Sequence, residues 1–266
     1  MNATEIIRSY YENYDEEGRL LRKFSRIEFK ITMKYIEKYL KPNDKILEIG
    51  AATGRYSHTL AQKGYEVDAI ELLQHHIDTF KKNTQEGEKV TITQGNAVDL
   101  SRIEDNTYDV TLLLGPMYHL FTREDRLKAL SEAIRVTKKG GIVFAAYCNN
   151  DTCVMNFCFG MHKLREERFR KLCDFETFKL DSKAEELFVL MRKEDIDDLM
   201  KEFDVKRLHF VGTDMLSEAY SRQIEEMEEE ELLEYESYIE KICERPDMTG
   251  LSFHLLDVFR KEGDKL

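Results

Sequence analysis

Tryptophan is absent from the 266 residues, and only three prolines and 13 glycines occur. So few chain breakers leave no flexible linker between independent domains, and the length is that of one large domain or of one domain with a cap. No apolar run approaches the roughly 20 residues that a membrane-spanning helix needs, so no membrane partner is expected. The opening stretch MNATEIIRSYYENYDEEGRL has no apolar core of the kind a secretion signal carries, and a cytoplasmic location is expected. The five cysteines are an odd number and make no disulfide framework. Cys148, Cys153 and Cys158 recur at every fifth residue, which scatters them around a helix axis. Without a CxxC pair or clustered histidines they read as buried thiols, and no metal site is expected.

Positive charge is also short. Lysine and arginine number 40 against 52 aspartates and glutamates, a formal net charge of −12. Such a surface repels polyanions, so nucleic acid is an unlikely partner. The acid-rich run Ile224 to Pro246 could pass for a recognition tail. Its Ile224, Met227, Leu232, Tyr235, Ile239 and Ile242 recur at helical spacing, and an amphipathic helix is the better reading.

Short apolar runs and helical patterns fill the space between. After a helical region from about Thr4 to Leu40, apolar runs appear at Lys45–Ile49, Glu66–Ile70, Val90–Gln94, Tyr108–Leu114 and Gly141–Tyr147. Helical patterns at Tyr56–Lys63, Gln74–Asn83 and Arg123–Thr137 separate them. This alternation predicts an α/β fold, a doubly wound and mostly parallel sheet. Ligands of such sheets bind beyond the carboxyl ends of the strands. The expected organisation is a helical lid element at 1–42, a binding core at 43–148 and a cap at 149–190. Residues 191–266 then complete the core around a helical insertion at about 214–247.

The stretch ILEIGAATGRYSHTLAQKGYEVDAIE holds the first strand end. Gly50 and Gly54 allow close backbone approach and positive φ. A dinucleotide loop would need glycine at positions 52 and 55, where Ala52 and Arg55 stand, and no Walker ending follows. Glu48 before the turn is awkward beside a pyrophosphate and suits a cationic ligand. Glu71, about 20 residues after the turn, suits two ribose hydroxyls. Adenosine with a cationic tail and no phosphate describes S-adenosylmethionine.

ILEIGAATG resembles the first motif of class I S-adenosylmethionine-dependent methyltransferases, E/D-x-G-x-G-x-G, with Ala52 at the middle glycine. AIELLQHHIDTFKK, ITQGNAVDL, NTYDVTLLLGPMYHL and EAIRVTKKGGIVFAAY are similar to later motifs of that family, and LGPMYHL to a bacterial group typed by GPxYHL. The resemblance implies a seven-stranded, Rossmann-like methyltransferase fold that binds S-adenosyl-L-methionine through Glu48, Gly50, Ala51, Gly54, Tyr56, Glu71, Leu72, Asn96, Ala97, Leu114 and Gly115. It also implies methylation of a small-molecule acceptor by a monomer or homodimer. An RNA or protein methyltransferase and a non-catalytic cofactor-binding protein are the alternatives.

For the acceptor side, His119 is the candidate base and Tyr118 the candidate orienting group. Gly115 lacks the side-chain oxygen that amide and nucleobase N-methylation commonly uses. Tyr147, the lid residues Tyr10, Tyr11 and Tyr14, the guanidinium groups of Arg22 and Arg26, and the cap residues Met155, Phe157, Phe159 and Met161 are further candidate wall residues. His75 and His76 flank adenine or face solvent.

Overall fold

Each of the five apolar runs is a strand in the computed structural model, which describes residues 3–14, 16–183 and 186–263. The chain opens with α1 (Ala3–Tyr11), α2 (Glu16–Leu21) and α3 (Lys23–Tyr39). Then come β1 (Lys45–Ile49), α4 (Arg55–Gln62), β2 (Glu66–Glu71), α5 (Gln74–Asn83), β3 (Val90–Gln94) and β4 (Tyr108–Leu113). They are followed by α6 (Arg123–Val136), β5 (Thr137–Asn149), α7 (Asn150–Cys153), α8 (Glu167–Arg170), β6 (Leu190–Met191) and α9 (Lys193–Met200). The last elements are β7 (Val205–Gly212), α10 (Ser221–Glu226), α11 (Glu229–Ile242) and β8 (His254–Lys261).

The strand order is β3-β2-β1-β4-β5-β8-β7, parallel through β5. The two-residue β6 pairs with Cys148 and Asn149 and adds an eighth strand to the seven expected. Strand β8 runs antiparallel to β5, and β7 antiparallel to β8. Strand β7 is therefore parallel to β5. The carboxyl ends of β1, β2, β4, β5 and β7 and the amino end of β8 all meet at one edge of the sheet.

Side chains alternate across the pleat, and both faces are covered. Ile46, Val110, Leu112, Phe144 and Val258 pack with Ile27, Ile31 and Ile36 of α3, Leu60 of α4, and Leu232 and Ile239 of α11. Leu47, Leu113, Val143 and Phe259 pack with Leu130 and Ile134 of α6 and with Ile196 and Leu199 of α9. Helix α3 thus belongs to the core, and only α1 and α2 are left to roof the sheet edge.

The acid-rich run is two helices rather than one. Lys23 at the start of α3 donates to the carbonyls of Glu225 and Met227 at 3.1 and 2.6 Å, capping the end of α10. Arg26, Lys30 and Lys34 along α3 then pair with Glu229, Glu236 and Glu240 of α11. Three of the glutamates are thus matched by a basic stripe, and the run packs as helices. The cap is less helical than its composition suggested. Beyond α7 a widened helical turn covers Val154–Gly160, and after α8 the chain is mostly irregular.

One ion pair ties the outer strands together. Arg207 donates from Nε and Nη2 to the two carboxylate oxygens of Asp257, both at 2.7 Å, and Asp257 is fully buried. Burial pushes the Asp257 carboxyl up, and Arg207 pulls it back only in part. Arg207→Ala should cost about 3–5 kcal/mol, since it strands a buried acid. Urea denaturation measures this, and a loss under about 1 kcal/mol would mean that Asp257 is held as a neutral acid.

Candidate active site

The turn after β1 is shaped by glycine at Gly50. Its φ is +81°, and a Cβ there would lie 2.7 Å from Pro116 Cδ. No side chain satisfies both conditions. The amides of Gly50 and Ala51 bond to the Ile70 carbonyl at 2.8 and 3.1 Å, fastening the turn to β2. Ala52 sits at φ +46°, a left-handed conformation that suits the glycine of the family motif. Its N–H donates to Glu71 Oε2 at 2.8 Å, and the N–H of Leu73 donates to Oε1 at 2.9 Å. Burial alone would raise the Glu71 carboxyl. His76, 3.4 Å away, and these amides outweigh that and hold it below the usual range, so Glu71 is ionised.

Glu48 differs from the expectation. It is buried on β1 and accepts a short hydrogen bond from Ser57 Oγ. Burial pushes its carboxyl up to about 8, so at pH 7 it carries a proton where a fixed negative charge was expected.

These groups line a cavity of about 640 Å³ at the carboxyl edge of the sheet, within the range of small-molecule sites. Glu48, Gly50, Ala51, Tyr56, Glu71, Leu72, Asn96, Ala97, Leu114 and Gly115 all contribute to its wall, as do Tyr118 and His119. Gly54 does not. It starts α4 at φ +94°, and a Cβ on it would meet Phe80 and His58 at about 2.5–2.6 Å, so its glycine serves packing. Asn96 turns its Oδ1 to the amide of Val98 at 3.2 Å, which shapes the loop after β3.

His119 follows the Pro116–Tyr118 turn and ties three segments. Nδ1 lies 3.0 Å from the Leu187 carbonyl, and Nε2 lies 3.1 Å from the Tyr11 hydroxyl. A carbonyl can only accept, so Nδ1 carries the proton and the bare Nε2 accepts from Tyr11. Burial pushes the imidazole down to about 4, so it is neutral at pH 7 and a weak base. Leu187 meets it at φ +72°, a strained conformation for a leucine and a frequent mark of functional segments. Burial raises the Tyr118 hydroxyl well above its ordinary value, so it stays protonated.

Other expectations are redistributed. Tyr10, Tyr11, Tyr14, Arg22 and His76 line the cavity; His75 does not. Arg26 is taken up by Glu229 and Glu236. Tyr147 points into the core against α6 and α9, and its strand neighbour Ala146 lines the cavity instead. Met155, Phe157, Phe159 and Met161 also stay out of the wall. Three of them are exposed, and Phe157 packs edge-on against Phe169. Ser25, Glu28, Asp214, Glu218 and His254 were not anticipated, yet they form part of the wall. The rule that function gathers at strand ends does reach Asp214, which follows β7. His254 lies at the amino end of an antiparallel strand, where that rule looks the wrong way.

The strand order and the helices around it are those of the α/β, Rossmann-like methyltransferase fold. A family model described as a methyltransferase domain matches residues 46–141. Among similar proteins are a ubiquinone biosynthesis O-methyltransferase of Rickettsia felis, 29% identical over 44% of this chain and 48% of its own, and an S-adenosyl-L-methionine-dependent Diels-Alderase of Talaromyces variabilis, 26% identical over 38% and 35%. The solved N-methyltransferase NodS of Bradyrhizobium japonicum, in complex with S-adenosyl-L-homocysteine, superposes with a TM-score of 0.61 at 14% identity over 99% of this chain and 100% of its own. The matched stretch spans less than half the length of the curated relatives. The names of these three proteins cover three different reactions.

Two substitutions test the turn. Ala52→Gly relieves the left-handed alanine and should leave stability within about 1 kcal/mol or raise it, whereas Gly50→Ala should lower it by more than about 2 kcal/mol. Thermal denaturation compares them, and equal losses would contradict the assigned conformations. Glu48 also predicts a pH dependence. The unfolded side chain ionises near pH 4.3 and the folded one only near 8. Its share of stability is therefore full below the first value and lost as pH rises through the second. Between pH 5 and 8 the wild type should lose on the order of 2–4 kcal/mol more than Glu48→Gln. Parallel urea curves at both pH values decide it, and matching slopes would mean that Glu48 is ionised.

Proposed function

We propose that this protein is an S-adenosylmethionine-dependent methyltransferase that methylates a small-molecule acceptor and releases S-adenosylhomocysteine. The observation that carries this reading is an ionised, buried Glu71 beside a side-chain-free turn at Gly50, at the mouth of a roofed cavity. Glu71 uses one lone pair of each oxygen on backbone amides and keeps others for the two ribose hydroxyls. Asn96, Ala97 and Val98 would border the adenine. Gly50, Ala51 and Glu48 would border the methionine portion. The ionised Glu71 carboxylate disfavours a pyrophosphate at the same place.

When bound, S-adenosylmethionine supplies a methyl group on a positively charged sulfur. The chain's own contribution is alignment and the exclusion of water, which such a displacement chiefly needs. Helix α1 supplies the roof through Thr4, Ile7, Tyr10 and Tyr11. A roofed cavity of this size favours a small acceptor over a polymer. His119, neutral and bonded on both nitrogens, acts here as the latch of the roof rather than as a strong base.

Calorimetric titration tests the reading, since S-adenosylmethionine and S-adenosylhomocysteine should bind and NAD should not. Glu71→Ala should weaken both by about 2–3 kcal/mol, roughly 30- to 150-fold. Binding of NAD alone would overturn the proposal. In the active enzyme, kcat/KM should show no inflection from His119 between pH 6 and 8, and an acid limb near 6.5 that vanishes in His119→Ala would restore it as the base.

A further inference from the structure

Another part of the cavity wall comes from α3 and from the ends of β7 and β8. Ser25 and Glu28 stand one turn apart on α3. Asp214 follows β7, Glu218 lies four residues on, and His254 opens β8. All five line the cavity.

Their charges are unequally satisfied. Asp214 is fully committed. Oδ1 accepts from Ser252 Oγ at 2.5 Å and from the amides of Phe253 and His254 at 2.9 and 3.0 Å, while Oδ2 takes His254 Nδ1 at 2.7 Å. Burial would push His254 down, but Glu28 and Asp214 outweigh it, so the imidazolium and Asp214 cancel. Glu28 has two looser cationic neighbours, Arg19 at 3.6 Å and His254 at 3.7 Å. The carboxylate of Glu218 makes no hydrogen bond or ion pair among the described residues. Its surroundings and then Asp214 push that carboxyl above the usual range.

Ser25 is the independent pointer to a ligand. It is only 3% exposed, it borders the cavity, and its Oγ has no hydrogen-bond partner among the described residues. Buried hydroxyls are almost always paired, so one left open toward a cavity waits for a group that the ligand brings. A ligand N–H or O–H can donate to the hydroxyl lone pair, and positive charge suits the two glutamates. Three cationic groups of the wall lie against protein partners, and Arg22 lines the cavity as well. Arg19 leans on Glu28, His254 on Asp214, and the Arg55 guanidinium stacks 4.0 Å from the Phe29 ring centre.

We propose that the methyl acceptor is a small amine, bound as its ammonium ion between Glu218, Glu28 and the Ser25 hydroxyl. This rests on the methyltransferase reading above. To react, the ammonium gives one proton to the Glu218 carboxylate, which passes it on to solvent. The freed nitrogen lone pair then forms the new C–N bond as the C–S bond breaks, and the electrons of that bond stay on sulfur. The methylated ammonium ion, S-adenosylhomocysteine and one proton balance the step.

The test uses the full chain saturated with S-adenosylhomocysteine and titrated by calorimetry at pH 7 with matched probes. These are benzylamine against benzyl alcohol, 2-phenylethylamine against 2-phenylethanol, and benzoate as the anionic control. At least one amine should bind about tenfold or more tightly than its alcohol. Glu218→Gln should erase that preference and Ser25→Ala should reduce it, both with unchanged affinity for S-adenosylhomocysteine, which also certifies that the variants fold. Equal binding of amine and alcohol, tighter binding of benzoate, or an amine preference that survives Glu218→Gln would overturn the proposal. Tight benzoate binding would move recognition to Arg22. Failure to bind S-adenosylhomocysteine at all would instead remove the methyltransferase reading beneath it.

Discussion

The carboxylate of Glu71 joins two loops that nothing else joins so directly. One oxygen holds the amide of Ala52 after β1, and the other holds the amide of Leu73 at the start of α5. Because β1 and β2 are paired in register, with Ile49 opposite Ile70, both loops leave the sheet at the same height. The acid keeps its charge in a buried place only because His76 and these amides face it. The left-handed turn at Ala52, the closeness of Gly50 to Pro116 and the wall of the cavity all follow from that fastening.

Acidity is used throughout the molecule as a structural material. Glu229, Glu236 and Glu240 of α11 are matched to the cations of α3, so one side of an acid-rich run becomes a helix interface. Asp214 binds the beginning of β8 to the end of β7 with four donors, and Asp257 with Arg207 does so farther along the same strands.

Much of this was legible from residue patterns, and for stated reasons. Strands β1, β4 and β5 are largely buried on both faces, so they read as apolar runs with turns between them, whereas β3 at the sheet edge is more open and its VTITQ alternates. The residues following those strands line the cavity as the topology requires. Tyr147 was misplaced because adjacent strand residues point to opposite faces, and a choice of one position decides between core and cavity. Gly54 looked like part of the cradle, but what needs its missing side chain is the packing of Phe80 and His58. His254 escaped because an antiparallel pair brings the start of one strand beside the end of another. The break between α10 and α11 has no glycine or proline to announce it; it is made by Lys23, a residue two hundred positions away.

The roof is built more lightly than anything beneath it. Ile7 of α1 packs with Leu73 and Leu187 in a small cluster apart from the two main cores, and the Tyr11–His119–Leu187 chain supplies its polar fastening. Segments with so few buried contacts open at a small fraction of the global unfolding free energy. The residence time of whatever the cavity encloses is thus a property of nine helical residues and one imidazole, and it can be tuned without disturbing the sheet.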